Sequence, residues 1–335
     1  MKLMMTGLDY KHSDLSVREK FAVTRAKAEK ILASFKNGVI DGCVILSTCN
    51  RMELYAAIRD GGDLGLSEAL CAALGIDFSG YGSHLIEREG DRVMEHLCRV
   101  ASGLDSQIIG DDQIITQVRE ALELSRDQKC TDSCIETLFN LSIHAAKAIK
   151  TKIFINTLKT SSVPEKTVEK LKTMRCHRLS GQKALVIGSG RIGRQVCELL
   201  IREGMDVTVT LRSRKRGGGV RIPDKANVIN YDERYRAVER ADIVVSATAS
   251  PHLTLLRGEI AALTRIPEII VDLAVPRDVE SSVGNIKGVA LLTIDDISGD
   301  GSSLPPESVL TTERIVVEHV ERYNRWRKRS LNKTR

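Results

Sequence analysis

The chain has 335 residues, of which 42% are hydrophobic and 28% charged, and its formal net charge is +6. This length predicts two domains or more, and the composition is that of an ordinary soluble protein rather than a fibrous or disordered one. Only 4% of the residues are aromatic, so the cores must be aliphatic. The mild basic excess is compatible with a polyanionic partner, but many basic proteins bind no nucleic acid.

The cysteines and the apolar runs of the sequence indicate the cellular compartment of the protein. The eight cysteines are scattered, without a CxxC pair or a Cys/His spacing that suits zinc, so the sequence predicts no metal site. A reduced, cytoplasmic protein is the simple interpretation. The apolar run at residues 1–7 is too short for a signal peptide, and no stretch approaches the length of a membrane span.

The first part of the chain predicts a ferredoxin-like domain. After an N-terminal strand, Ser16 and a glutamate three residues later form a capping-box pattern, which predicts one helix that continues through Leu32. Two strands flank Cys49, and a helix near 66–74 and a short strand near 84–86 follow. The order strand, helix, strand, strand, helix, strand is the ferredoxin-like pattern.

The connection between those two strands holds a candidate nucleophile. Apolar runs at 43–46 and 52–58 predict the strands, which leaves Cys49 in a tight polar connection with Arg51 two residues away. A thiol becomes a useful nucleophile as the thiolate, and a nearby cation lowers its pKa. Most free cysteines are small buried hydrophobes, however, so spacing alone leaves both interpretations open.

A dinucleotide-binding domain is predicted after a helical stretch at 91–152. Pro164, with a cap near Ser162, predicts a helix at 165–174. A buried strand at 183–187 then leads into a GxGxxG loop, a helix and a second strand. This context favours a nucleotide site, because such glycines let the backbone approach a pyrophosphate at the helix N-terminus. The residues predicted to bind the cofactor in this loop are Gly188, Ser189, Gly190, Arg191, Ile192 and Gly193.

The end of the second strand of this domain selects the cofactor. The sequence has no acidic residue there to hold a ribose 2′-hydroxyl. It has instead a basic loop formed by Arg212, Ser213, Arg214 and Lys215. Arginine and serine suit a 2′-phosphate, so the loop predicts NADPH rather than NADH; a solvated basic loop is the alternative.

Further strands alternate with helices in the rest of the domain. This alternation indicates a mainly parallel sheet that is covered on both faces. Ala247 and Thr248 follow one of these strands, at the carboxyl end where such sheets bind their ligands. We therefore expect both residues to contribute to the cofactor site.

Three segments resemble the glutamyl-tRNA reductase family. They are STCNRMELY at 47–55, HLCRVASGLDS at 96–106 and DLAVPRD at 272–278. The resemblance implies an enzyme that uses NADPH to reduce glutamyl-tRNA(Glu) to glutamate-1-semialdehyde. This reaction is the first step of tetrapyrrole (porphyrin) biosynthesis by the C5 pathway.

The same resemblance implies roles for individual residues. It implies that Cys49 attacks the ester and forms a thioester, and that Arg51 binds the glutamate carboxylate. It places His96 near the thiol, to assist proton movement or to orient the substrate. A helix histidine satisfied by the backbone is the plainer interpretation of that residue. The implied polar lining of the substrate site consists of Thr48, Asn50, Glu53, Ser102, Asp105 and Gln113.

The expected organisation follows from these assignments. A catalytic domain at 1–155, a linker helix at 156–178, an NADP(H)-binding Rossmann domain at 179–308 and a basic C-terminal helix at 309–335 are expected. The basic helix is expected to be a solvated end whose cations offset the helix dipole, with RNA phosphate binding as the alternative. The family ends in a further helical domain that forms a dimer. This chain stops where that domain should begin, so the resemblance does not predict dimerisation by that route. It makes glutamate-1-semialdehyde aminotransferase a candidate partner.

Two other functions stay open at this point. The first is a non-catalytic relative that binds NADPH or tRNA, which the missing dimerisation domain suggests. The second is another NADP-dependent dehydrogenase acting on a small metabolite, which the nucleotide domain alone would allow. The second leaves the segments at 47–55 and 96–106 unexplained.

Overall fold

The chain divides into two compact units. The computed structural model describes residues 1–35, 38–62, 64–107, 113–154, 162–211, 222–299 and 305–333. The first unit contains Met1–Thr160 together with Asp300–Arg335, and the second unit contains Ser161–Gly299. Within the described residues, no helix combines the length and the apolar character needed to cross a membrane.

An antiparallel four-stranded sheet forms the centre of the first unit. Its strands are β1 (Lys2–Asp9), β2 (Ile40–Ser47), β3 (Arg51–Ile58) and β4 (Ile86–Glu89). They lie in the order β2-β3-β1-β4, and each neighbouring pair is antiparallel. This arrangement confirms the predicted ferredoxin-like pattern. The fourth strand begins slightly later than expected, because Gly82–His84 forms a 3₁₀ turn before it.

Helices cover both faces of this sheet. The described helices are α1 (Leu15–Phe21), α2 (Arg25–Phe35), α3 (Leu66–Leu74), α4 (Phe78–Tyr81), α5 (Asp91–Ala101), α6 (Gln113–Asp127) and α7 (Ser133–Ile149). One face packs Leu3, Val44 and Tyr55 against the cluster that contains α5 and α7. The opposite face packs Ile45 and Leu54 against side chains of α1, α2 and α3. β3 is therefore buried along its whole length. Burial of each large aliphatic side chain stabilises the fold by roughly 1.5–3 kcal/mol.

The prediction of one helix capped by Ser16 was wrong. The N-cap is Asp14, whose carboxylate accepts a hydrogen bond from the Val17 amide at 3.0 Å. The Ser16 hydroxyl donates to the same carboxylate at 2.7 Å, so Ser16 supports the cap instead of forming it. The helix also ends at Phe21, and α2 starts afresh where Thr24 accepts a hydrogen bond from the Lys27 amide. Asp14 is as good an N-cap residue as serine, and because the helix begins at Leu15 its carboxylate is the acceptor that reaches the third amide of the first turn.

A parallel six-stranded sheet forms the centre of the second unit. Its strands are β5 (Lys183–Ile187), β6 (Asp206–Leu211), β7 (Asn227–Asn230), β8 (Ile243–Ser246), β9 (Ile269–Asp272) and β10 (Ala290–Thr293). They lie in the order β10-β9-β8-β5-β6-β7, and every pairing is parallel. This is the doubly wound order, and the direction of winding reverses between β5 and β8. The predicted Rossmann-type sheet is confirmed.

Helices of the second unit lie against this sheet. They are α8 (Val163–Met174), α9 (Arg191–Arg202), α10 (Arg234–Val238), α11 (Arg257–Ala261) and α12 (Ile294–Ser298). α8 begins as expected, with Ser162 as N-cap, a reciprocal capping box with Glu165, and Pro164 in the first turn. This helix, found within the stretch expected to be a linker, packs against α9 and α12 of the second unit.

The C-terminal helix α13 (Pro306–Lys333) packs on the first unit. Tyr323 is buried, and its hydroxyl lies 2.8 Å from the Cys134 sulfur of α7. Arg327 donates to the Met1 carbonyl at 2.6 Å. The apolar side of the helix thus joins the core of α5 and α7, while side chains such as Arg322 are exposed.

Candidate active site and nucleotide loop

Cys49 lies in the three-residue turn between β2 and β3, as predicted. The turn is closed by the Thr48 amide, which donates to the Arg51 carbonyl at 2.9 Å, and by the Asn50 amide, which donates to the Thr48 hydroxyl at 3.2 Å. The Asn50 carbonyl accepts from the Tyr10 amide at 2.9 Å, which extends the β1–β3 ladder by one step. Cys49 itself is half-buried, so its thiol sits at the rim of the sheet rather than in the core.

A buried ionic network begins at the first residue of β3. Arg51 and Glu53 lie two residues apart, so they share a face of the strand, and Arg51 Nη1 donates to Glu53 Oε1 at 2.7 Å. His96 Nε2 lies 2.9 Å from the same oxygen, and the Tyr55 hydroxyl donates to Glu53 Oε2 at 2.6 Å. Arg51 Nη2 donates to the backbone carbonyl of Asp105. The network therefore joins β3 to α5 and to the turn after it.

The charges in this network stabilise one another. Burial alone would raise the pKa of Glu53, but the charges of Arg51 and His96 outweigh it and hold that pKa well below its usual range. Burial likewise would lower the pKa of Arg51, and the Glu53 carboxylate instead raises it. Burial and Glu53 together raise the pKa of Tyr55. Glu53 is therefore ionised and Arg51 charged at neutral pH, at positions that are only 1% and 2% exposed.

Asp105 connects the buried network to the surface. Its carboxylate accepts from Lys11 Nζ at 2.8 Å and lies 3.7 Å from Arg99 Nε and 4.0 Å from His96 Nδ1. Burial would raise the pKa of Asp105, but the bond from Lys11 and the nearby cations keep it below the ordinary value. Sequence reasoning missed Lys11. The signal was available in the strand order, since the register pairs Asp9 with Arg51 and so brings the next residues of the chain beside the cysteine turn.

Ser102 and Gln113, which were also expected to line the site, lie at helix ends. Ser102 is fully buried, and its hydroxyl donates to the Arg99 carbonyl at 3.0 Å, which closes the end of α5. Gln113 is the first residue of α6 and is half-buried. Residues 108–112 lie outside the described residues.

The glycine-rich loop has the shape that a dinucleotide requires. Gly188 follows β5 with φ +111°, a conformation that favours glycine. A Cβ on Gly193 would lie 2.0 Å from the Gly188 carbonyl oxygen, so this glycine permits close packing of α9 on the loop. A Cβ on Gly190, the N-cap of α9, would meet nothing within 4 Å, so there is open space beside the start of this helix. Anions are stabilised at such a helix start, so the loop fits a pyrophosphate.

The other predicted cofactor residues flank this loop or lie outside the described residues. Arg191 and Ile192 begin α9, directly after Ser189 and Gly190. Ala247 and Thr248 follow β8 and touch the loop. The basic residues expected to read the 2′-phosphate, Arg212, Ser213, Arg214 and Lys215, lie outside the described residues.

Two buried carboxyl groups lie at and after the end of β9: Asp272 is its last residue, and Asp278 follows six positions later and binds Thr248. Asp272 Oδ2 accepts from the Asp278 and Val279 amides at 2.9 and 2.8 Å, and Asp272 Oδ1 accepts from the Ala274 amide at 3.0 Å. Burial raises the pKa of Asp272 to about 7 in spite of these three donors. The Asp278 carboxylate accepts hydrogen bonds from Thr248. Neither carboxylate was predicted to belong to the cofactor site.

Fold and site together define the class of protein. The second unit is a nucleotide-binding domain of the kind that takes a nicotinamide cofactor, and the first unit carries a cysteine beside a buried ionic network. Two family models match the chain: "Glutamyl-tRNAGlu reductase, N-terminal domain" over residues 6–153, and "Shikimate / quinate 5-dehydrogenase" over residues 170–299.

Individual relatives agree with these matches. Glutamyl-tRNA reductase of Alkaliphilus oremlandii is 37% identical over 330 residues, covering 97% of both chains. The enzyme of the same name from Acetivibrio thermocellus is 38% identical, again over 97% of both. The solved glutamyl-tRNA reductase from Methanopyrus kandleri has a TM-score of 0.50 at 26% identity and covers 98% of this chain and 80% of its own. The chain belongs to the glutamyl-tRNA reductase family.

Proposed function

We propose that this protein reduces glutamyl-tRNA(Glu) to glutamate-1-semialdehyde with NADPH, the first step of tetrapyrrole (porphyrin) biosynthesis by the C5 pathway. The observation that carries the proposal is the position of Cys49. It lies half-buried in a polar turn whose next residue, Arg51, anchors a buried network of charges. Relatives that share this chain over nearly their whole length carry the name of that activity.

Covalent catalysis by Cys49 explains why a thiol is needed. The thiolate sulfur attacks the carbonyl carbon of the aminoacyl ester, a C–S bond forms, and the ester C–O bond breaks. The tRNA leaves as its 3′-hydroxyl after taking up a proton. The glutamyl group is then held as a thioester, whose carbonyl is a better hydride acceptor than that of an ester. Splitting one difficult step into two easier ones is the general advantage of a covalent intermediate.

The glycine loop and the basic loop would hold the cofactor. NADPH, when bound, supplies the hydride that reduces the thioester carbon. Gly188, Gly190 and Gly193 would receive the pyrophosphate at the start of α9. Arg212 and its basic neighbours would bind the 2′-phosphate. Once the thioester is reduced, the C–S bond breaks, the aldehyde departs and Cys49 is released as a thiolate.

Arg51 is proposed to bind the carboxylate of the glutamyl group. Its guanidinium is held in place by Glu53, which supports a fixed orientation. In the structure its Nη2 donates to the Asp105 carbonyl, so a substrate carboxylate would have to replace or share that contact. A planar guanidinium suits such an exchange, because it presents several donors in one plane.

His96 is proposed to move a proton or to orient the substrate. Its Nε2 is held 2.9 Å from Glu53, and its Nδ1 faces the Asp105 carboxylate at 4.0 Å. A ring held between two carboxylates has a fixed orientation, which a proton-transfer group requires. Thr48, Asn50, Glu53, Ser102, Asp105 and Gln113 are proposed to complete the polar lining of the site.

The setting of the enzyme is also part of the proposal. All eight cysteines are free thiols that form no disulfide bond, which supports a reducing, cytoplasmic location. Glutamate-1-semialdehyde aminotransferase, which would consume the reactive aldehyde, is the proposed partner.

A single-turnover assay with glutamate-labelled tRNA tests the reaction. Without NADPH, we expect a labelled glutamyl-protein adduct on the wild type, and addition of NADPH should convert it to semialdehyde. Cys49→Ser should give no reducible adduct while binding NADPH as the wild type does. The matched control is Cys176→Ser, because Cys176 is an exposed thiol outside the site, and it should form the adduct normally. A wild type that binds NADPH but forms no adduct would be a non-catalytic relative.

The choice of cofactor has its own test. We expect Arg212→Glu to weaken NADPH binding by about tenfold or more and to change NADH binding far less, because it opposes the 2′-phosphate that NADH lacks. Equal effects on both nucleotides would show that this loop does not read the phosphate.

A further inference from the structure

Asp278 is a fully buried carboxylate that the proposed reaction leaves without a role. It ends the segment Asp272 to Asp278 that resembles the family, and it is 0% exposed. It lies after β9, under the turn that follows β8. A buried carboxylate is costly unless hydrogen bonds satisfy it, so its contacts indicate what it holds in place.

The carboxylate of Asp278 accepts three hydrogen bonds, one from the last residue of β8 and two from the turn after it. Its Oδ2 accepts from the Ser246 hydroxyl at 2.7 Å and from the Thr248 amide at 2.8 Å. Its Oδ1 accepts from the Thr248 hydroxyl at 2.5 Å. Three hydrogen bonds converge on this one side chain, and two of them come from Thr248, so the turn is firmly fixed.

The backbone of Asp278 is fixed in its turn. Its amide donates to Asp272 Oδ2 at 2.9 Å, and its carbonyl accepts from the Thr254 and Leu255 amides at 2.6 and 3.0 Å. These backbone hydrogen bonds hold the Asp278 side chain in place and join the segment after β9 to the segment after β8. A displacement of Thr248 would have to break bonds to a group that cannot follow it.

Thr248 lies directly against the glycine loop. A Cβ on Gly188 would be 2.5 Å from the Ala247 carbonyl oxygen and 3.2 Å from Thr248 Cγ2. The Thr248 hydroxyl also accepts from the Ser250 amide at 3.0 Å, so Thr248 organises the rest of the turn. The position of the Ala247–Thr248 turn thus sets the width of the space beside the first glycine.

This turn lies on one particular side of the site. In a doubly wound sheet the dinucleotide crosses the point where the winding reverses, here between β5 and β8. The adenosine half lies towards the end of β6, where the 2′-phosphate loop begins, and the nicotinamide half lies towards β8 and β9. We propose that Asp278 is a positioning residue that fixes the nicotinamide half of the cofactor site by holding Thr248 against the glycine loop. The inference rests on the proposed use of NADPH.

Two ligands separate this role from a general structural one. NADPH fills both halves of the site, whereas adenosine 2′,5′-bisphosphate fills the adenosine half alone. In calorimetric titrations of the full-length protein, Asp278→Ala should weaken NADPH by about tenfold or more and leave adenosine 2′,5′-bisphosphate within about twofold. Asp278→Asn should lie between the wild type and Asp278→Ala, because one oxygen can still accept from the Thr248 amide.

Two further variants make the test decisive. Asp242→Ala is the matched control: Asp242 accepts from the Lys183 amide at 2.8 Å, at the opposite, amino-terminal end of β8. It should change neither affinity. Thr248→Val removes one hydroxyl without opening a large cavity, and it should show the same selective loss of NADPH in a smaller degree, even if Asp278→Ala does not fold.

Either of two results would overturn the inference. Equal weakening of both ligands would mean that Asp278 only stabilises the domain, and unchanged NADPH affinity would mean that the turn does not meet the nicotinamide half. Because the titrations need only nucleotide binding, a wild type that binds NADPH but forms no Cys49 adduct would count against the proposed reaction and leave this comparison valid.

Discussion

Each unit of the protein buries carboxylates, and it stabilises them in opposite ways. Glu53 in the first unit is paired with a guanidinium and an imidazole, and its pKa lies well below the usual range. Asp272 in the second unit is held by three backbone amides and has Asp278, another carboxylate, as its charged neighbour. Its pKa is raised to about 7.

The difference shows that the pKa of a buried carboxyl group depends on whether a charge of opposite sign lies beside it. A buried charge needs a compensating charge, and amide donors offset only part of the desolvation cost. The first unit therefore keeps fixed charges beside Cys49, where an ester and a carboxylate would bind. The second unit instead satisfies its carboxylates by hydrogen bonds from the backbone and from the hydroxyls of Ser246 and Thr248, in and after β8.

The largest effect on stability is expected from Glu53→Gln. It removes the negative partner of Arg51 at a site only 2% exposed, so the guanidinium is left buried without its carboxylate. We expect the first unit to lose about 3–5 kcal/mol of its free energy of unfolding at pH 7. Trp326, the single tryptophan, packs on the core of this unit, so urea unfolding followed by its fluorescence measures the change. A loss below about 1 kcal/mol would show that Arg51 is satisfied without Glu53.

The next largest effect is a pH dependence of opposite sign in the two units. Glu53 has a lowered pKa, so its stabilisation is complete above its unfolded value and disappears as the pH falls through about 4 and below. Asp272 has a raised pKa, so its contribution to the free energy of unfolding is greatest below about pH 4. As the pH rises from about 4 to about 7, the carboxyl ionises in the unfolded chain but not in the folded one, and the free energy of unfolding falls by at most about 4 kcal/mol.

Hydrogen exchange of the β9 amides at several pH values measures the second effect. Relative to wild type, Asp272→Asn should remove the decline in local stability between about pH 4 and 7, because the amide does not titrate. The absolute stability of the variant will differ, since an NH₂ group replaces one acceptor. The informative quantity is the slope, and equal slopes in both proteins would show that Asp272 ionises near its ordinary pKa.

The smallest effect is expected from Tyr55→Phe. This change removes one hydrogen bond to Glu53 of 2.6 Å and keeps the ring, which packs edge-on against Phe139 at 5.3 Å. Because Arg51 and His96 still hold the carboxylate, we expect a loss of about 0.5–1.5 kcal/mol, again followed by Trp326 fluorescence. A loss as large as that of Glu53→Gln would mean that the phenol, and not the guanidinium, is the main support of the carboxylate.

Local sequence patterns were sufficient for most of the fold. The strands around Cys49, the glycine loop and the helix after Ser162 were each predicted from neighbouring residues, because periodicity, glycine spacing and caps act over a few positions. The capping of α1 shows where this fails. Asp14 and Ser16 are both good N-caps, and only the structure shows that the helix begins at Leu15, which makes Asp14 the cap.

The candidate functional residues also fall into two groups, those that local sequence predicted and those that it missed. Cys49, Arg51 and His96 were predicted from short segments of sequence, and the structure brings Arg51 and His96 together on Glu53. Lys11 and Asp278 were missed, because their partners are distant in the chain: Lys11 meets Asp105, 94 positions away, and Asp278 meets Thr248, 30 positions away.

The sequence by itself determined the two sheet types, the position of the thiol in a turn and the presence of a phosphate loop. These depend on local chemistry that each segment carries with it. Only the tertiary structure decided that Arg51 is shared between Glu53 and the Asp105 carbonyl, and that Asp278 binds the turn after β8. Strand register and helix packing set those contacts, and no local pattern encodes which buried charge will meet which partner.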